Sequence, residues 1–164
     1  MAENDVAVQQ DAAYGTRTAV STSGGALRTW ATAGYRWLLL VFLLAGAVQI
    51  FLAGLGVFRL QDNGLEAAGD SAFAPHRTLG FAIAGIALLI LVSALTAWVG
   101  ARAITLSAVL VLLTSFVQSL LAGLGEDTAV YGGLHALDGL LIIGIAGYLY
   151  GSAIASRRGA GKRR

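Results

Sequence analysis

The 164-residue sequence has no cysteine, a single proline and little charge: 12% of its residues are Asp, Glu, Lys or Arg, against 57% that are hydrophobic. Each shortage excludes something. Without Cys there are no disulfides, no thiolate metal sites and no haem attached through thioethers, so any cofactor is held non-covalently. With so little charge the chain falls outside the usual composition of a soluble domain. The net charge of +2 does not point to nucleic acid, because the charges sort by position along the chain rather than gather into a base-reading patch.

What the sequence does have is four long apolar runs, Trp37–Phe58, Leu79–Val99, Ala103–Leu124 and Ala129–Tyr150. Each matches the ~20 residues that a helix needs to cross ~30 Å of hydrocarbon. They are continuously apolar, whereas barrel strands of about ten residues alternate apolar and polar positions. The expected fold is therefore all-α: a transmembrane four-helix bundle over residues 35–152, with spans at about 37–58, 76–99, 103–124 and 129–150. Residues 1–34 read as a flexible tail, polar and rich in Ala, Thr, Ser and Gly, and residues 153–164 as a basic tail that anchors topology. No cleavable signal is evident, since the first apolar run begins near residue 37 and is long enough to span.

Nine of the eleven basic residues fall on one side of that arrangement: Arg17, Arg28 and Arg36 before the first span, Arg102 in the second turn, and Arg157, Arg158, Lys162, Arg163 and Arg164 after the last. The positive-inside rule makes this the cytoplasmic side and places both termini there, in a multi-pass protein of the cell (plasma) membrane. The other side carries Arg59 and Arg77 with Asp62, Glu66, Asp70, Glu126, Asp127 and, close to the surface, Asp138.

The two hairpins read as copies of one unit. Span one contains Val48-Gln49 followed by Ala53-Gly54-Leu55-Gly56, and span three contains Val117-Gln118 followed by Ala122-Gly123-Leu124-Gly125. Span two has His76, Gly80 and Gly85, and span four has His135, Gly139 and Gly144 at the same intervals. At 100° per residue, His76, Gly80, Ile83 and Ala87 share one helix face, as do His135, Gly139, Ile142 and Ala146. Gly85 and Gly144 lie on the opposite side, where close helix packing is their expected role. Parallel repeats of this kind are related by an axis along the membrane normal, which sets His76 and His135 opposite each other at similar depth.

Polar residues at membrane depth usually face the bundle interior and mark a site, and these are the only two histidines in the chain. A pair of neutral imidazoles suits a b-type haem ligated from both faces, with Gly80 and Gly139 clearing the porphyrin edge and Ile83 and Ile142 forming an apolar wall. Gln49 and Gln118 either bond across helices or orient the histidines through the second ring nitrogen. Arg59 and Arg77 are candidate partners for haem propionates, or pair with nearby carboxylates. Three other readings stay open: interfacial histidines in a structural or assembly subunit, a small metal site in which Asp138 joins His135, and conservation of the pattern by duplication alone. A nucleophile, an acid–base pair and a nucleotide loop are all absent from view, so an enzyme is not the expectation.

The segments HRTLGFAIAG, LTSFVQSLLAGL and LHALDGLLI resemble one four-helix half of the haem A synthase family over about residues 38–150. The chain resembles even more closely a group of small four-span bacterial membrane proteins that share FAPHRxLG and LHALxG and to which no activity is attached. The haem A synthase resemblance implies haem held between His76 and His135. That family places an essential Glu three residues before the first of these histidines, where this chain has Phe73. It also often carries a Cys pair that is missing here. What the resemblance implies is thus the scaffold and haem binding rather than haem oxidation. The expected partners are the lipid bilayer and a membrane redox partner or quinone. The sequence does not fix the oligomeric state.

Overall fold

Uninterrupted runs of Leu, Ala, Val, Ile and Gly satisfy their backbone polar groups as helices when they lie in hydrocarbon, and the described residues are almost all helical. The computed structural model describes the backbone of residues 2–161 and the side chains of residues 24–62 and 71–157. Helix α1 covers Ala2–Ala68, and a 3-10 turn over Gly69–Phe73 leads into α2, Ala74–Ala97. Helix α3, Ala101–Leu112, continues through a π turn at Leu113–Val117 into α4, Gln118–Asp127, and α5 runs from Ala129 to Gly161. Four stretches are long and apolar enough to cross a membrane: Gly24–Asp62, Ser71–Ala97, Ala101–Asp127 and Ala129–Arg157.

Several expected boundaries move. Residues 24–34, assigned above to the tail, continue α1, and the rest of that tail lies outside the described side chains, as do Arg17, Glu66, Asp70, Arg158, Lys162, Arg163 and Arg164. Residues 153–161 continue α5 as helix. Arg102 sits in the first turn of α3 rather than in the connection before it. That connection, Trp98 to Gly100, is short because α2 ends on a left-handed residue, Trp98 at φ 51°, whose N–H and that of Val99 return to carbonyls of the last turn.

The helices alternate in direction around a ring. α1 packs on α2 and α5, and α3 packs on the same two helices. Among the described residues α2 and α5 have no Cα pair within 8 Å, so the second and fourth spans face each other across the middle of the bundle. Leu39 and Phe42 of α1, Ala87 and Ile90 of α2, Leu110 of α3 and Ala146 and Leu149 of α5 fill that middle, each at most 1% exposed. Alanine at the α2 and α5 positions lets four helices approach one axis closely. The outward faces carry large apolar side chains such as Trp37, Phe51, Phe81, Phe116 and Leu140, as a lipid-facing surface requires.

Burial repeats between the second and fourth spans. Residues 81–90 and 140–149 have the same order of buried, half-buried and exposed positions throughout. Spans one and three differ by one residue. Buried Leu39, Phe42 and Gly46 stand 10, 7 and 3 residues before Gln49, whereas buried Ser107, Leu110 and Thr114 stand 11, 8 and 4 before Gln118. The π turn at Leu113–Val117 absorbs the extra residue, since such a turn is a one-residue insertion in an α-helix. Thr114 opens it by bonding back to Leu110 O at 2.8 Å.

Candidate functional site

The polar centre of the bundle lies at the end away from the termini. Pro75 in the first turn of α2 is suited to a helix start, because its missing N–H would have no intrahelical partner there. His76 follows it. Gln49 of α1 gives its Nε2 proton to His76 O at 2.9 Å, and His76 Nδ1 lies 3.1 Å from Gln49 O. The same two bonds join Gln118 to His135: Nε2 to His135 O at 3.1 Å, and His135 Nδ1 to Gln118 O at 3.1 Å. A carbonyl can only accept, so Nδ1 carries the proton in each neutral ring. The lone pair is then on Nε2.

The two imidazoles face each other with centroids 6.1 Å apart and planes inclined at 60°. A metal held by both rings would take about 2 Å to a nitrogen of each, with the half-width of each ring added. The spacing therefore fits one metal centre between the rings. Ile83 and Ile142 lie further along the same helix faces at 7% and 5% exposure. They form the apolar floor under the pair.

The glycines act differently from the expectation. A Cβ on Gly80 would stand 3.2 Å from Gln49 Nε2, and one on Gly139 would stand 3.3 Å from Gln118 Nε2. Gly80 and Gly139 thus admit the glutamine that crosses to the neighbouring helix, rather than clearing a macrocycle edge. The orienting role also changes hands. The backbone carbonyls of Gln49 and Gln118, not their side chains, hold the histidine rings. The carboxamide oxygens Oε1 of both glutamines are buried without a hydrogen-bond partner. Gly85 and Gly144 meet nothing within 4 Å of a Cβ and are exposed, so they are not helix-packing positions in this chain.

The two hairpins differ outside this centre. His76 follows Gln49 by 27 residues and His135 follows Gln118 by 17, so the first connection is ten residues longer. Part of that length places Phe73 over Gly56, whose Cβ would come within 2.6 Å of the phenyl ring. Phe73 then meets His76 edge-on at 6.3 Å. In the second hairpin Gly125 instead faces the Gly132 backbone at 3.0 Å, and among the described residues the ring that meets His135 is that of His76. Arg59 and Arg77 are exposed and each engages another group of the chain.

Asp138 lies one turn beyond His135 on the same helix. It is 8% exposed, buried within the bundle, and its Oδ2 has no hydrogen-bond partner. It lines an open apolar groove of about 890 Å3 between α3–α4 and α5, with Val117, Leu121, Leu137, Leu141 and Gly144. Among the described residues no three His, Cys, Asp or Glu side chains are grouped to hold a metal ion, so Asp138 does not join the histidines in a small metal site. Sequence reasoning missed Phe73 as the cover of His76, and it missed the Gln–His exchange itself. The depth match of each Gln with a His on the neighbouring span was its visible signal.

No family model, curated protein or solved structure matches the chain. Four helices of this length and apolarity suggest the class, a multi-pass membrane bundle, here with a polar centre toward one end.

Proposed function

We propose that the protein is an integral membrane b-type haem protein, with His76 and His135 as the two axial ligands and electron transfer or haem handling as its role. The observation that carries this reading is the pair of opposed imidazoles 6.1 Å apart, each with Nδ1 engaged by a carbonyl. That bond fixes the tautomer and the ring orientation, as the outer partners of metal-ligating histidines generally do. A haem bound there would supply one-electron chemistry at a potential set by its ligands and surroundings. The chain's own contribution is to engage Nδ1 of both rings, which leaves each Nε2 lone pair available, and to wall the site with Ile83 and Ile142.

Matching bonds, glycines and burial in the two halves favour a duplicated hairpin about an axis along the membrane normal. The concentration of basic residues near both termini puts these in the cytoplasm and the histidines toward the outer face of the plasma membrane. One haem near one face cannot carry electrons across ~30 Å alone, so a membrane redox partner or quinone completes the path. Phe73 offers no proton chemistry where the haem A synthase resemblance has Glu, which favours a carrier over an enzyme.

The test is the absorption spectrum of detergent-purified protein from haem-replete cells, before and after dithionite. A low-spin b-type spectrum is expected, and it should be lost in both His76→Ala and His135→Ala. A colourless preparation overturns the reading, and an unaltered spectrum in both variants removes these residues as ligands. One observation favours a second reading, a structural subunit without cofactor: the Gln–His bonds already clasp each hairpin. Under that reading the preparation is colourless and the histidine variants lose only stability.

A further inference from the structure

Between α3–α4 and α5 the open groove of about 890 Å3 runs along the bundle, with Leu106, Leu121, Leu141 and Ile145 in its apolar walls. That volume suits a molecule of moderate size, since ligand pockets span roughly 300–1,000 Å3. In hydrocarbon an apolar groove by itself takes any acyl chain. Three observations make this one more selective.

The first is a carboxyl set among the apolar walls. Asp138 lines the groove, is 8% exposed, and its Oδ2 has no hydrogen-bond partner. His135, one turn back, does not supply one, because its Nδ1 is engaged by Gln118 O. The matching residue of the first hairpin is Leu79, so the repeated hairpin packs without a carboxyl at this position. A carboxyl in an apolar wall calls for a donor when it is charged and for an acceptor when it is protonated.

The second is depth. Helix α5 begins at Ala129, directly after Glu126 and Asp127. Asp138 stands nine residues further on, about 14 Å along the helix. An ammonium headgroup would have to leave the interface and shed its water to reach it, whereas a neutral hydroxyl pays far less. The third is shape. From Asp138 to Tyr148 the groove extends about 15 Å along α5. The Arg102 guanidinium over the Tyr148 ring, at 4.9 Å, bounds that end. On the facing wall Val117 closes the π turn, a feature frequent at functional sites.

We infer that the groove binds a lipid-soluble quinol, with its head ring at Asp138 and its apolar tail laid toward Tyr148. A neutral ring with two hydroxyls on a long apolar tail meets all three observations. The ionised carboxylate accepts a hydrogen bond from a ring hydroxyl, and the protonated acid bonds the same oxygen as donor. Three residues of helix set Asp138 about 60° round α5 from His135, so the head ring lies on the flank of the helix that carries the histidine. The use of the quinol as electron partner of the histidine pair rests on the haem reading. The binding does not.

Full-length protein, washed free of native lipid and quinone in detergent, is titrated under argon with decylubiquinol and read by native mass spectrometry. One molecule per chain is expected. The dimethyl ether of the same quinol, which has no donor, should bind about tenfold more weakly, and Asp138→Leu should weaken quinol binding by a similar factor. Asp138→Asn should keep most of it. Gly144 lines the groove and a Cβ there meets nothing within 4 Å, so Gly144→Leu should fold, fill the groove and block both compounds. Gly85→Leu, at the matching exposed position of α2, should leave binding unchanged. Equal binding of quinol and ether overturns the quinol as occupant in favour of any apolar chain. Undiminished binding to Asp138→Leu overturns the carboxyl as its partner, and equal binding to the two Gly variants overturns the groove. Haem-free protein that binds the quinol sinks the haem reading and keeps this site, whereas haem-loaded protein that binds none overturns this site alone.

Discussion

Gln49 and His76 exchange two hydrogen bonds across the first hairpin, Nε2 to the His76 carbonyl at 2.9 Å and Nδ1–H to the Gln49 carbonyl at 3.1 Å. The exchange separates two tasks. The Gln side chain ties helix to helix, while the Gln backbone holds the imidazole. Gln49→Leu and Gln118→Leu should therefore each lower stability in detergent by about 1 kcal/mol, the usual worth of one interhelical hydrogen bond in a membrane protein. Both should leave a bis-histidine spectrum in place. Thermal unfolding followed by circular dichroism reads the first effect and reduced-minus-oxidised spectra the second. Loss of the spectrum in the Gln variants would show that the side chains position the ligands.

Gly80 and Gln49 form a second coupled pair, since a Cβ at residue 80 would stand 3.2 Å from Nε2. Gly80→Ala should destabilise the wild-type protein modestly by displacing the carboxamide. In a Gln49→Ala background the same change should stabilise by up to about 1 kcal/mol, the ordinary gain of Ala over Gly in a helix. The double-mutant cycle should give a coupling near 1 kcal/mol, and the Gly139–Gln118 cycle a similar value. Additive effects would mean that the glycines serve something other than the glutamines.

Much of this was legible in the chain. Apolar runs of membrane-spanning length gave four helices, and 100° periodicity placed Ile83, Ala87, Ile142 and Ala146 on faces that are buried. The part that was not legible depends on which atoms meet. Gly80 could have cleared a macrocycle or a side chain, and only the path of Gln49 decides. Phe73 looked like a missing Glu until its ring lay against Gly56 and His76. Asp138 could be placed by sequence on the histidine side of α5, but its burial among the helices could not be read from its neighbours. Helix register also hid the π turn, because a one-residue insertion leaves composition and hydropathy unchanged.

That turn makes its own prediction. Deleting Phe116, which is 68% exposed, would return buried Ser107, Leu110 and Thr114 to the 10, 7 and 3 spacing seen before Gln49. The deletion should convert Leu113–Val117 to regular α-helix and cost less than about 1 kcal/mol, with Gln118 still facing His135. Deleting exposed Leu44 from α1, where no surplus residue exists, should instead rotate everything beyond it by ~100° and disrupt the Gln49–His76 bonds. Thermal unfolding of the two deletions compares them directly. Equal damage would show that the π turn is not a removable insertion.

Asp138 stands where the first hairpin has Leu79, at the third residue after the histidine. It is buried, its Oδ2 lacks a partner, and it borders an apolar groove. A buried polar group left unsatisfied costs about 1–3 kcal/mol, and half-buried Leu79 already occupies the matching position of α2. Asp138→Leu should therefore raise stability by about that amount and deepen the apolar groove without altering helix content. Asp138→Asn should not match this gain, because the amide remains polar. Thermal unfolding in one detergent compares all three proteins. A less stable Asp138→Leu would mean that the carboxylate has a partner in the protein as purified. A more stable variant would mark Asp138 as a residue kept at the expense of stability, beside a candidate ligand and on the wall of the groove.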